Sequence, residues 1–224
     1  KHMSNIETKK EKNGILSKIG GDKLILIGAI IVVFALFTAL NKNFLTWTNM
    51  INLMVAASLV GLVAVGHTYL IIAGQNDLSP GSLAAFCGTL AALLLSKDMP
   101  MIVAIIVVLL AGVLVGLFNA WMVNKIKLEA FIATLVTQNI IRGFAYIICD
   151  GKPVSISNKA YLTIGKARFL TIPVSVWLMI LAFVVFGFVL AKTKFGRSVY
   201  AIGGSQEAAR LAGLNPQQIV TKCF

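Results

Sequence analysis

The chain alternates between long apolar runs and short charged breaks. Uncharged stretches cover residues 24–41, 43–76, 78–96, 99–124 and 169–191, and residues 130–149 are interrupted only by Arg142. A helix needs about 20 apolar residues to cross a bilayer. Only helices and closed barrels satisfy their backbone groups in lipid. Barrel strands alternate apolar and polar positions, and these runs do not. The pattern predicts six membrane-spanning helices, near 24–41, 50–73, 78–96, 99–123, 130–148 and 169–191. The second starts near Met50 because Asn41 to Thr48 are polar or aromatic. The expected fold class is an all-α polytopic membrane protein, with its transmembrane domain over residues 24–191.

Composition supports that pattern. Apolar residues make up 58% of the chain and charged residues 12%, against about 25% charged in a soluble domain. A soluble globule of this size cannot bury so much apolar surface. The net charge of +12 does not point to nucleic acid, because the basic residues sit between spans, where they set topology. With the N-terminus inside, the inner segments hold 13 Lys and Arg and the outer segments six, Arg142 being the last of the 20. That asymmetry predicts cytoplasmic N- and C-terminal segments. Residues 1–23, with six Lys, read as a cytoplasmic tail, 149–168 as an external loop and 192–224 as a cytoplasmic segment. The first apolar run is long and lacks a small-residue cleavage site, so a signal peptide is not expected. Cys87, Cys149 and Cys223 are widely spaced and read as free thiols.

Several strings carry more than hydropathy. In GQNDLSPGS, residues 74–82, Asp77 lies between apolar segments, and Ser79-Pro80 reads as the N-cap and first position of the third helix. One reading is a helix cap at membrane depth; the other is a polar break lining a pathway. In the fifth helix Thr134, Gln138 and Arg142 recur every four residues and form a stripe that should face protein or water. Interhelical hydrogen bonding explains such a stripe as well as a pathway does. His67 has no carboxylate or second His one turn away and reads as a packing residue; Gly112 and Gly116 form a GxxxG that permits close helix approach. In the last segment Ser205 caps a helix starting QEAARLA, which Gly213 closes, and Asn215-Pro216 opens a second. That second helix has barely begun at Phe224, so further helices are expected beyond it. Neither a P-loop string nor HExxH occurs, Gly203 to Glu207 fails GxSxG at its last position, and no paired carboxylates lie in the spans. No catalytic or metal-binding residues are therefore assigned.

Three stretches carry a family resemblance. GHTYLIIAGQNDLSPGS (66–82) is similar to a G-x-D-L-S-x-G-S hallmark, although Gln75-Asn76 depart from its usual Gly and apolar residue. AFIATLVTQNIIRGFAYIICDG (130–151) is similar to an AFIATL…RG segment, and GRSVYAIGGSQEAARLAGL, starting at Gly196, to a cytoplasmic G-R-x-x-Y-A-x-G-G…E-A-A-R-L-x-G loop. The chain resembles the permease subunit of bacterial ABC-type sugar importers of the ribose, xylose and galactose class, over roughly residues 45–224.

The resemblance implies the first part of a ten-helix fold like that of the cobalamin importer, with about four more helices beyond this chain. It implies two permeases paired around a pathway, identical or mixed, and an external sugar-binding protein. It also implies two separate ATP-binding-cassette ATPase subunits that carry ATP and Mg, so that this chain binds no cofactor. Residues 192–224 would couple to the ATPase through Gly196, Arg197, Tyr200, Gly203, Gly204, Glu207, Ala208, Arg210 and Gly213. Asp77, Ser79, Thr134, Gln138 and Arg142 would be pathway or cap residues. The function expected is ATP-driven import of a monosaccharide by alternating access across the bacterial inner membrane. A secondary transporter or channel for a small polar solute is the alternative, with only Asp77, His67 and Arg142 as candidate ion-coupling groups.

Overall fold

The computed structural model describes residues 21–156 and 158–224, so residues 1–20 of the expected tail lie outside the described residues. The chain divides into two compact units, Lys1–Asn52 and Leu53–Phe224. Six apolar helices dominate: α1 (Gly21–Leu40), α2 (Trp47–Ile72), α3 (Pro80–Ser96), α4 (Met101–Trp121), α5 (Ala130–Ile148) and, after a short helix α6 (Lys159–Lys166), α7 (Val174–Lys192). Four of these segments, those of α2, α4, α5 and α7, are long and apolar enough to cross a membrane, and Leu24–Leu40 and Pro80–Ser96 form shorter apolar helices. The protein is an all-α polytopic membrane protein.

Within the first unit, the turn after α1 is built by Phe44, which stacks on Phe37 at 5.6 Å and meets Phe34 edge-on at 5.4 Å. Asn49 Nδ2 donates to the Phe44 carbonyl at 2.7 Å and holds the turn to the start of α2. That contact explains why α2 starts at Trp47, ahead of the apolar run that opens near Met50.

In the second unit α3 packs on both α4 and α5. Most of the buried positions are small, such as Ser82, Ala91 and Ala92 on α3, Ala104, Gly116 and Ala120 on α4, and Ala130, Ala133 and Ala145 on α5, with Leu95 and Ile141 the large apolar exceptions. Lipid gives helices no hydrophobic reason to associate, so close backbone approach over small side chains supplies the contact. Large apolar side chains face outward instead, for example Leu109, Leu114, Val184 and Phe188.

The α4–α5 connection is a π-helical turn, Met122–Ile126, closed by Lys127 in the left-handed region at φ 64°. Before α7 the chain makes a two-residue-strand hairpin, β1 (Arg168–Phe169) against β2 (Ile172–Pro173). Its turn residues Leu170 and Thr171 have φ of 50° and 67°, the positive pair of a tight hairpin turn. The hairpin occupies residues 168–173, so the last apolar helix starts at Val174, later than the charge boundary at 168 implies. Three short helices complete the chain: α8 (Lys194–Gly204), α9 (Gln206–Leu211) and α10 (Pro216–Cys223).

Candidate functional site

Between α2 and α3 the backbone leaves the helical path. Gly74, at φ 73°, closes α2, with Gln75 N–H donating back to the Leu70 carbonyl at 2.8 Å. Residues 76–78 then have no helical backbone partners, so their polar groups need others. Three helices supply them. From α2, His67 Nε2 lies 2.7 Å from the Asp77 carbonyl oxygen; a carbonyl only accepts, so Nε2 carries the proton. From α5, Thr134 Oγ1 accepts from Leu78 N–H at 3.1 Å while donating to the Ala130 carbonyl at 2.8 Å. From α4, Asn119 Nδ2 donates to Ser79 Oγ at 3.1 Å.

Asp77 and Ser79 form the centre of the break. Asp77 Oδ1 accepts from Ser79 N–H at 2.8 Å and from Ser79 Oγ at 2.7 Å, an Asx turn with a second bond. Ser79 is the N-cap residue and Pro80 the first helical position, as the sequence reads. Its hydroxyl makes no capping bond, however, because Asp77 and Asn119 occupy it.

Asn119 escapes sequence reading. It is 1% exposed, and its Oδ1 has no partner among the described residues. The available signal was a lone Asn near the C-terminal end of an otherwise apolar helix, where polar groups are costly and therefore purposeful.

The α5 stripe is divided. Thr134 is fully buried, Gln138 half-buried and Arg142 exposed. The buried face runs through Ala130, Ala133, Thr134, Thr137, Ile141 and Ala145. Small residues that admit α3 decide this face, and Thr137 continues it beyond Thr134.

The second candidate region is the segment from Lys194 on. Thr193, Ser205 and Asn215 cap α8, α9 and α10 by accepting from Gly196, Ala208 and Gln218 N–H, each at 3.2 Å. Val199, Ile202, Ala209, Ile219 and Val220 form a core with Tyr69 of α2 and Ala73 just after it. Gly196 and Gly203 are close-approach positions. A Cβ at Gly196 would overlap the Leu190 backbone, and one at Gly203 the Ile72 carbonyl oxygen. Gly203 and Gly204 end α8 in helical conformation and do not form the flexible break that the pair suggests. Gly213, at φ 85°, closes α9.

Arg197, Tyr200, Glu207, Ala208 and Arg210 are exposed. Glu207 and Arg210 line a groove of about 560 Å³ with Gln206, Asn215, Gln217 and Lys127. Lys127 comes from the α4–α5 turn, more than seventy residues earlier in the chain. Burial pushes the Cys223 thiol up to about 11, so it stays protonated and a poor nucleophile.

The two regions share one end of the bundle. Gly203 abuts the Ile72 carbonyl at the end of α2, and Asn124 in the π-helical turn donates to α10. The break at 74–79, the 122–127 turn and the 194–223 segment therefore lie at the same end of the helices. Among the described residues no three His, Cys, Asp or Glu side chains gather as a metal site.

Apolar helices that hold a non-helical segment through polar side chains, with an amphipathic helical segment packed at one end, define a multi-pass membrane protein. The chain belongs to the family described as the branched-chain amino acid transport system / permease component, which matches residues 49–224. It is 37% identical over 200 residues to the ribose import permease protein of Haemophilus influenzae, an alignment covering 88% of this chain and 62% of that protein. It is 39% identical over 191 residues to the L-arabinose transport system permease protein of Escherichia coli K12, covering 85% and 57%. It is 34% identical over 209 residues to the ribose import permease protein of Bacillus subtilis, covering 92% and 63%. The chain thus spans about three fifths of the length of these relatives. No solved structure matches it.

Proposed function

We propose that this chain is the membrane-spanning permease part of an ATP-driven importer of a monosaccharide. Relatives are named for ribose and L-arabinose, which makes a pentose-sized sugar the substrate class. Transport runs by alternating access: separate ATPase chains bind ATP and Mg, and this chain moves as a rigid bundle and performs no chemistry. A sugar-binding protein delivers substrate from outside, and a second permease subunit completes the pathway. The helices follow the first part of a cobalamin-importer-like fold, with both chain ends on the cytoplasmic side.

One observation carries this reading. The α8–α10 segment is well capped and packed on the end of α2, yet it leaves Glu207, Ala208 and Arg210 exposed beside a polar groove. Such a knob, rigid behind and open in front, suits docking to a soluble partner with charged pairing at its rim. A Cys at Glu207 should cross-link to the ATPase chain in membranes. Scrambling residues 205–213 should leave insertion intact but abolish ATPase association and uptake. Normal association and uptake in the scrambled variant would exclude the reading.

A further inference from the structure

We propose that Asn124 is the positioning residue that transmits movement of the ATPase-docking helices to the break at Asp77, and that it does so by tying α10 to α4. The inference rests on reading the 194–223 segment as the docking element.

The geometry is specific. Asn124 Nδ2 donates to the Gln217 carbonyl at 3.0 Å and to Thr221 Oγ1 at 2.9 Å, so both amide hydrogens are spent on α10. Thr221 Oγ1 donates in turn to the Gln217 carbonyl at 2.8 Å, which closes a three-membered ring of bonds. Five residues earlier, Asn119 Nδ2 holds Ser79 Oγ, and Ser79 Oγ holds Asp77 Oδ1. Two asparagines near one helix end, about 7 Å apart along the axis, thus grip the docking segment with one amide and the break with the other.

Two further contacts join the segment to the chain before the break: Gly203 against the Ile72 carbonyl, and the apolar core of Val199, Ile202 and Ala209 with Tyr69 and Ala73. Neither is directional, so neither fixes the register of α10 as hydrogen bonds do. The Asn124 bonds hold α10 in both directions. The turn that bears Asn124 is also suited to movement. It is π-helical and ends at a left-handed Lys127. Such turns insert one residue into a helix and recur at functional sites. Returning Met122–Ile126 to α-helical register would rotate Asn124 relative to α10, and coupling requires an element with two such arrangements.

The test uses the full-length permease reconstituted with its ATPases and binding protein, reading sugar taken up per ATP hydrolysed alongside ATPase association. Asn124→Ala should keep association and basal hydrolysis while uptake per ATP falls about tenfold, the size of a typical coupling term. Thr221→Val should lower the ratio in the same direction, and Thr221→Ser, which keeps the hydroxyl, should restore it. The double variant Asn124→Ala/Thr221→Val should be no worse than Asn124→Ala, because both remove one linkage. A normal ratio in Asn124→Ala, additive effects in the double variant, or loss of ATPase association in Asn124→Ala would each overturn the proposal, the last by showing that Asn124 only holds the docking helices in place. Cross-linking from Glu207→Cys in the otherwise unchanged protein tests the docking reading separately. Failure there removes that reading, whereas cross-linking with normal stoichiometry in Asn124→Ala removes this one alone.

Discussion

Replacing Thr134 by Val tests whether the break is held by hydrogen bonds or by shape. The two side chains are nearly isosteric and equally β-branched, so packing and helix propensity change little. The hydroxyl accepts from Leu78 N–H and donates to the Ala130 carbonyl, its nearest acceptor at 2.8 Å, with the Phe131 and Asn76 carbonyls at 3.3 and 3.4 Å. Its donor bond to Ala130 O is dispensable, because that carbonyl also accepts the helical N–H of residue 134. Its acceptor bond is different. Leu78 lies in the non-helical segment, and without Thr134 Oγ1 its N–H has no replacement among the described residues. An orphaned buried donor costs about 1–3 kcal/mol; the bond is part-buried, so about 1–2 kcal/mol is expected. For a protein of this size that lowers the melting temperature by about 2–8 °C. Thermal unfolding of the detergent-purified protein measures it. Thr134→Ser keeps the oxygen and should unfold within about half the Val shift of the parent. If Val melts with the parent, or Ser melts with Val, the clamp does not depend on this bond.

Three further outcomes are expected. Asp77→Asn, which keeps an oxygen for Ser79 N–H, should retain most uptake and stability, while Asp77→Leu, which removes both bonds to Ser79, should lose about 1–3 kcal/mol in the same melting assay. Gly203→Ala places a Cβ on the Ile72 carbonyl and should destabilise the protein by about 1–3 kcal/mol, whereas Gly204→Ala meets open space and should be neutral or slightly stabilising by melting temperature. Cys223, with its thiol held up to about 11 by burial, is neutral at pH 7 and becomes thiolate only as pH rises. Its alkylation by iodoacetamide, followed by mass spectrometry, should climb steadily from pH 7 to pH 10, and a plateau near pH 9 would contradict the burial.

Lengths of uncharged sequence were enough to determine six apolar helices and an all-α membrane protein, because the cost of exposing backbone polar groups in lipid leaves no other arrangement for such runs. The caps of the last segment were equally legible: Ser205, Gly213 and Asn215-Pro216 act through bonds to neighbours two or three residues away, and local chemistry is written locally. The hairpin at 168–173 was not legible, since Leu170 and Thr171 adopt positive φ without the Asn or Gly that signals such a turn. Which face of α5 is buried was only half legible, because four-residue spacing marks a stripe but small residues on α3 choose between Gln138 and Thr137. Gly203 is a close-approach position, a role that depends on Ile72, far away in the chain. Asn119 and Asn124 gain their roles only from partners some forty and ninety residues distant. Hydropathy and capping are one-body and near-neighbour properties, so they can be read along the chain; the partners of a buried amide depend on how helices cross, which no local pattern encodes.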